Sequence, residues 1–161
     1  MPPSLAPGIY AAMIVRSLTD PEHPAYGQVA NVDLNGVPQI RTVHFRYLRE
    51  KKQIAFATNT RSPKWEQLQK KPQLAGCLFD PFRLVQIRWE AAVILIERSA
   101  DGKGKKILDS LWKLVRSDVR AAYWQDYNRS LEVELHCPTF GAVLFQPHRW
   151  DIMEVNQEDY R

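Results

Sequence analysis

The chain has 161 residues, 45% hydrophobic and 25% charged, the proportions of one globular domain with a real core and not of a disordered or fibrous chain. Its formal charge of +4 suits the attraction of a phosphorylated small molecule but falls short of the dense cationic stripe of a nucleic-acid binder. Apolar runs stay short of the ~18 residues of a membrane span, the prolines at 2, 3 and 7 break a signal-peptide layout, and Cys77 and Cys137 have no metal-ligand spacing, so a cytoplasmic protein without membrane, nucleic acid or metal is expected.

Ile9 to Leu18 spaces its apolar residues as a helix and stops at the loop signals Thr19-Asp20-Pro21 and His23-Pro24. Gln28 to Leu34 alternates, Asn35-Gly36 is a two-residue turn signal, and Pro38 to Tyr47 continues with β-branched and aromatic residues, which predicts a hairpin. A third strand over Gln53 to Thr58 follows the charged turn Arg49 to Lys52, giving an antiparallel meander. Ser62-Pro63 is an N-cap followed by proline at the first helical position, and Trp65, Leu68 and Pro72 outline the short helix that ensues.

Leu74 to Phe79 and Leu84 to Ile96 read as strands, the second long enough to bend near Ala91-Ala92. Ile107 to Val115 is an amphipathic helix, with more helix through Val119 to Trp124, and Ala142 to Phe145 and Trp150 to Val155 close the chain as strands. About seven strands and three or four helices, without regular βαβ alternation, give a mainly β, α+β domain spanning the whole chain: an antiparallel barrel with helices outside. The lysines at 51–52, 70–71 and 103–106 read as solvated turns or helix ends.

The functional signal is a group of cations and hydroxyls, Arg41, Arg46, Arg61, Ser62 and Lys64, around the hairpin and the helix start after it. Guanidinium forks, an ammonium, hydroxyls and the free N–H groups of a helix N-terminus are what a phosphomonoester requires. Arg41 and Arg46 lie roughly 16 Å apart in an extended strand and face opposite sides, so they would serve opposite ends of an elongated ligand. The tryptophans fill cores unless one stacks on a ligand. His23, His136 and His148 read as loop residues.

Residue order adds a resemblance. Arg41-Thr-Val-x-Phe-Arg46, Phe56-Ala-Thr-Asn59, Arg61-Ser-Pro-Lys64 with Gln67-Leu68, and Val85-Gln-Ile-Arg-Trp-Glu-Ala-Ala92 together resemble the FMN-binding split-barrel family of pyridoxamine 5'-phosphate oxidase, over about Val29 to Val93. The resemblance implies an FMN-binding split barrel that works as a homodimer, with flavin sites at the subunit interface. It implies that Arg41, Ser62 and Lys64 hold the FMN phosphate, that the backbone of Val43 and His44 faces the flavin, and that Ala57 and Thr58 flank the ring. Gln86 would reach the flavin of the opposing subunit, and Arg46 takes the place of a lysine near ring and substrate. The resemblance also implies substrate-side residues in the segment of Trp124, which makes Trp124 the first tryptophan candidate for stacking on a ligand.

The departures are as specific. Ser62-Pro63-Lys64 stands where the oxidase has Ser-Arg-Lys, with Arg61 as the substitute arginine, and Ala91-Ala92 replaces a usual glycine. The oxidase's C-terminal substrate and flavin arginines have no counterpart in Thr139 to Pro147 or in Asp159-Tyr160-Arg161. Arg61-Ser-Pro-Lys64, the Trp112 to Trp124 segment with Arg120, and the ending Phe140-x-x-x-Leu144-Phe145-x-Pro147 resemble a shorter branch of flavin-binding relatives, which implies FMN and makes pyridoxamine 5'-phosphate an unexpected substrate. Two functions stay open: an FMN-dependent oxidoreductase acting by hydride transfer on a small molecule, and a split-barrel ligand-binding module without turnover or without FMN.

Overall fold

The computed structural model describes residues 8–98, 101–124 and 137–154, leaving His136, Val155 and residues 159–161 outside the described part. The elements run α1 (Gly8–Thr19), β1 (Tyr26–Val32), β2 (Pro38–His44), β3 (Arg46–Leu48), β4 (Gln53–Asn59), α2 (Pro63–Lys70), β5 (Gln73–Asp80), β6 (Val85–Ile96), α3 (Gly102–Lys113), α4 (Ser117–Trp124), β7 (Phe140–Phe145) and β8 (Arg149–Glu154). Pairing follows the order β2-β1-β5-β6-β7-β4-β3, with β8 added beside β6. All pairs are antiparallel, so the sheet curls into a split barrel, as the sequence predicts.

Two strand readings change in an informative way. The run predicted as one strand over residues 38–47 divides at Phe45, which is wholly buried. Its amide donates to the Ala25 carbonyl at 2.9 Å, and from Arg46 onward the chain pairs with β4 through Arg46 and Ala55. The expected meander is therefore interrupted: β2 and β3 are consecutive in the chain yet lie at opposite ends of the pairing path, and Phe45 joins those ends.

β6 makes the complementary crossing where the sequence expects a bend. Val85 to Glu90 lie between β5 and β8, whereas Val93 to Ile96 pair with β7. The amide of Val93 takes the Pro72 carbonyl and the amide of His148 takes the Glu90 carbonyl, so backbone groups at the change of partner remain satisfied.

Two apolar cores result. Inside the barrel, Phe45 meets Trp89 at a ring-centroid distance of 5.0 Å and Trp89 stacks on Phe145 at 6.2 Å, with Ile14 and Leu18 of α1 and Trp65 and Leu68 of α2 closing it. On the opposite side of β4 and β7, Leu108, Leu111 and Trp112 of α3 pack with Phe140 and Leu144. Serving both cores, β7 is buried at every position. Trp65, Trp89, Trp112 and Trp124 are buried in these cores, so Trp124, expected as the foremost candidate for ligand stacking, is a core aromatic.

A polar knot ties α1 to the β5–β6 turn. The Ser17 hydroxyl donates to the buried Asp80 carboxylate at 2.6 Å, and Arg83 and the amides of Phe82 and Arg83 donate to the same group. Burial alone would raise the Asp80 pKa, but these donors hold it below the usual carboxylate range.

Among the described residues, one face of the barrel carries no helix. Outward positions alternate along the strands: His44, Thr42 and Ile40 on β2, Tyr26 and Gln28 on β1, Cys77 and Phe79 on β5, Gln86 and Arg88 on β6, and Met153 and Asp151 on β8. Tyr26, Ile40, Phe79 and Met153 are exposed there. The opposite register packs tightly: a Cβ added to Gly27 would collide with the Cys77 carbonyl oxygen and lie 2.6 Å from the Phe45 ring. Because the carbonyl is backbone and the ring is locked in the core, Gly27→Ala should destabilise the fold by roughly 1–3 kcal/mol, read as a lower urea midpoint with an unchanged slope.

Candidate functional site

The Arg41–Lys64 region is built by the edge of β2, the end of β4 and the start of α2. Arg41 is paired with Val29 and lies on the inward register of β2, where its guanidinium donates to the Asn31 side-chain oxygen. Asn31 in turn donates to Gln67 of α2 at 2.8 Å. This chain of neutral amides fixes Arg41 against α2 without neutralising it. Sequence reading carried Gln67 only as a motif position and missed Asn31; the available signal was Asn31 itself, a polar side chain in the inward, otherwise apolar register of β1.

Ser62 occupies the N-cap position of α2 with Pro63 after it, yet its side chain makes no capping bond. The hydroxyl instead lies 3.3 Å from the Lys64 ammonium, which also donates to the Thr58 hydroxyl at 2.6 Å. Thr58 and Ser62 hydroxyls stand 3.5 Å apart. Lys64, Ser62 and Thr58 are thus one cluster at a helix N-terminus that lacks a side-chain cap, and the positive end of the helix dipole adds to the cations.

The electrostatics define what this cluster can do. Burial, and then the nearby charge of Arg41, lower the Lys64 pKa from its ordinary value, while burial lowers that of Arg41. Among the described residues neither cation forms an ion pair. Two like charges, partly withdrawn from water and held by neutral oxygens, are a cost that a bound anion would offset. The donor set fits a phosphate group. By contrast, the cleft of about 360 Å³ beside Tyr26 is lined by Asp20, Glu22 and Asp80, carboxylates that disfavour an anion.

The remaining expected positions divide between the faces of the strands. Val43 packs its side chain into the barrel core. Ala57 packs on the helix side with the second core, opposite to Thr58, so the two do not form a side-chain pair. Arg61 is exposed, and its amide donates to the Asn59 side chain at 2.8 Å in the turn before α2. Arg46, beyond the Phe45 crossing, donates to the Leu114 carbonyl at the end of α3 at 3.2 Å. His44 lies on the outward register with its ring 4.5 Å from that of Tyr26. Gln86 sits on the helix-free face, paired with Phe79 and Met153, and is not part of the Arg41–Lys64 cluster. No group of metal-ligating side chains occurs among the described residues.

His44 is pushed to a pKa of about 4 by burial and by the Arg46 charge, so its imidazole is neutral near pH 7. A folded pKa below the unfolded value of ~6.5 means that the native state binds fewer protons than the unfolded chain between those values. Stability should therefore rise with pH across that window and be lost as pH falls through it. An NMR titration of His44 should show a midpoint near 4, and His44→Gln should flatten the stability profile over that window.

Comparison with known proteins bears on the same region. Residues 9–97, more than half the chain, match the family model described as "Pyridoxamine 5'-phosphate oxidase, FMN-binding domain". A pyridoxamine 5'-phosphate oxidase-related FMN-binding protein from Nostoc punctiforme PCC 73102 superposes with a TM-score of 0.78 at 25% identity, covering 94% of this chain and 86% of that one. PhzG from Burkholderia lata 383, in complex with tetrahydrophenazine-1-carboxylic acid, gives a TM-score of 0.63 at 18% identity over 93% of this chain and 78% of its own. An F420 reductase gives 0.56 at 16% identity over 84% and 94%, respectively. These last two likenesses concern the fold. No curated protein matches the sequence.

Proposed function

The chain belongs to the pyridoxamine 5'-phosphate oxidase FMN-binding domain family, and from that membership together with its unpaired cations we infer an FMN-dependent oxidoreductase acting on a small molecule. The observation that carries the reading is the placement of Arg41 and Lys64 beside the α2 N-terminus without a carboxylate partner among the described residues. Arg41 supplies a planar fork and Lys64 a point charge. The Ser62 and Thr58 hydroxyls already direct their oxygens at the ammonium and can turn to donate to a phosphate oxygen. Arg61 supplies a further charge from the turn before α2.

FMN, when bound, supplies hydride exchange with a substrate. The chain's own residues then bind and orient. With the phosphate end at Arg41 and Lys64, the ring end is assigned to the β2–β3 crossing, where His44 and Arg46 stand. His44 is neutral and can donate or accept a hydrogen bond without adding charge, while Arg46 supplies the local positive charge. Val43 enters this reading through its backbone, since its side chain packs on the barrel core and that of Ala57 on the helix side.

Gln86 has a role in this reading only if a second copy covers the helix-free face. Ile40 is 70%, Tyr26 53% and Met153 47% exposed there, an apolar set that a homodimer would bury. Gln86 lies between Phe79 and Met153 on the same face, a position suited to reaching across an interface. Sedimentation should give a dimer, and Ile40→Glu should shift it to monomer while leaving far-UV circular dichroism unchanged. A monomeric wild-type protein would remove Gln86 from the site.

The phosphate assignment is tested by titrating FMN and riboflavin. Arg41→Ala and Lys64→Met should each weaken FMN by about 10–100-fold and leave riboflavin affinity nearly unchanged. Because the Lys64 pKa is lowered, its charge disappears at a less alkaline pH than usual, so FMN affinity should fall as pH is raised through that lowered value. Lys64→Met should lose this dependence. Equal affinity of wild type for FMN and riboflavin would contradict the assignment.

A further inference from the structure

Two basic stretches far apart in the chain meet across a cleft of about 500 Å³. Arg49 and Lys51 come from the β3–β4 turn, and Lys103 and Lys106 come from the first turns of α3. Glu50 is the one carboxylate among the lining residues. The floor is apolar, formed by Leu48 and Ile107, because Tyr47, one residue earlier in β3, turns its side chain to the barrel core; the Ser110 hydroxyl at the α3 wall donates to the Lys106 carbonyl at 2.8 Å.

Arg49 donates to the Thr19 hydroxyl of α1 at 3.4 Å, and the fold does not require the three lysines to face one another. The β3–β4 turn is closed by backbone bonds from Lys51 to Leu48 and from Lys52 to Arg49 at 3.1 and 3.3 Å, and α3 is capped by Asp101, which accepts from the Gly104 amide at 2.9 Å. Lys103 and Lys106 are three residues apart and share a helix face. Opposed like charges raise the free energy of the empty cleft, and an anion placed between them lowers it. Ammonium and guanidinium groups donate and cannot accept, so the walls select an acceptor-rich ligand, while the floor takes an apolar ring. The volume is that of a small-molecule site.

We propose that this cleft binds a nucleoside polyphosphate, with the phosphates between Lys51, Lys103 and Lys106 and the base against Leu48 and Ile107. The site is separate from the Arg41–Lys64 cluster: the cleft adjoins the Gln53 end of β4 and the cluster the Asn59 end, roughly 20 Å apart at strand rise.

Calorimetric titration with ADP tests the proposal on the full chain, with and without saturating FMN. The double variant Lys103→Glu/Lys106→Glu should weaken ADP at least about tenfold. Lys105→Glu/Lys113→Glu makes the same change of net charge on the same helix at exposed positions outside the cleft lining and should leave affinity within about twofold. ADP binding should persist in Lys64→Met and with FMN present, whether or not FMN itself binds. Absence of ADP binding, equal losses in both double variants, loss in Lys64→Met, or pyrophosphate binding as tightly as ADP would each overturn the proposal.

Discussion

The burial of Phe45 is the constraint from which the site follows. Its ring is completely enclosed and meets Phe56, Trp89 and Phe145 edge-on. To put that ring inside, the chain must leave β1 as a partner at His44 and take up β4 at Arg46. The crossing joins the two ends of the pairing path and closes the barrel covalently where hydrogen bonds do not. It also fixes the charges: Arg41, before the crossing, stays on the inward register near α2, and Arg46, after it, turns toward the end of α3. A fully buried phenylalanine contributes on the order of 3 kcal/mol by its burial, enough to hold this crossing against the like charges nearby.

Stability and function pull in opposite directions at the cluster. The amide chain from Arg41 through Asn31 to Gln67 orients the guanidinium, and the Lys64 ammonium is held by hydroxyls. Neither arrangement neutralises charge, and burial lowers the pKa of both cations. A carboxylate at Asn31 would relieve that cost and would also occupy the proposed anion site. The neutral amide keeps the arginine in place and leaves its charge for a ligand.

Much of this was legible in the sequence, because short-range signals governed it. Asn35-Gly36 marks its turn through a positive φ at Gly36, Ser62-Pro63 marks the start of α2, and the long β6 changes partner around Ala91-Ala92, where a bend is expected. The motif residues identify a phosphate-binding family. What could not be read was pairing over distance. Nothing local distinguishes Phe45, continuing a strand, from Phe45, leaving one, since both place an aromatic in an alternating run. Thr58 likewise reads as a ring-side residue, whereas its hydroxyl belongs with Lys64. The basic turns read as solvated, and their meeting across a cleft is a tertiary fact.

The central claim is that Arg41 and Lys64 together hold a phosphate dianion. The most direct measurement is the ³¹P resonance of FMN bound to the protein, followed as a function of pH. Two adjacent cations favour the dianion, so the bound signal should stay that of the dianion as pH falls through ~6, where a free phosphomonoester takes up a proton, and Lys64→Met should restore part of the titration. A bound phosphate that titrates as it does in free FMN would contradict the account.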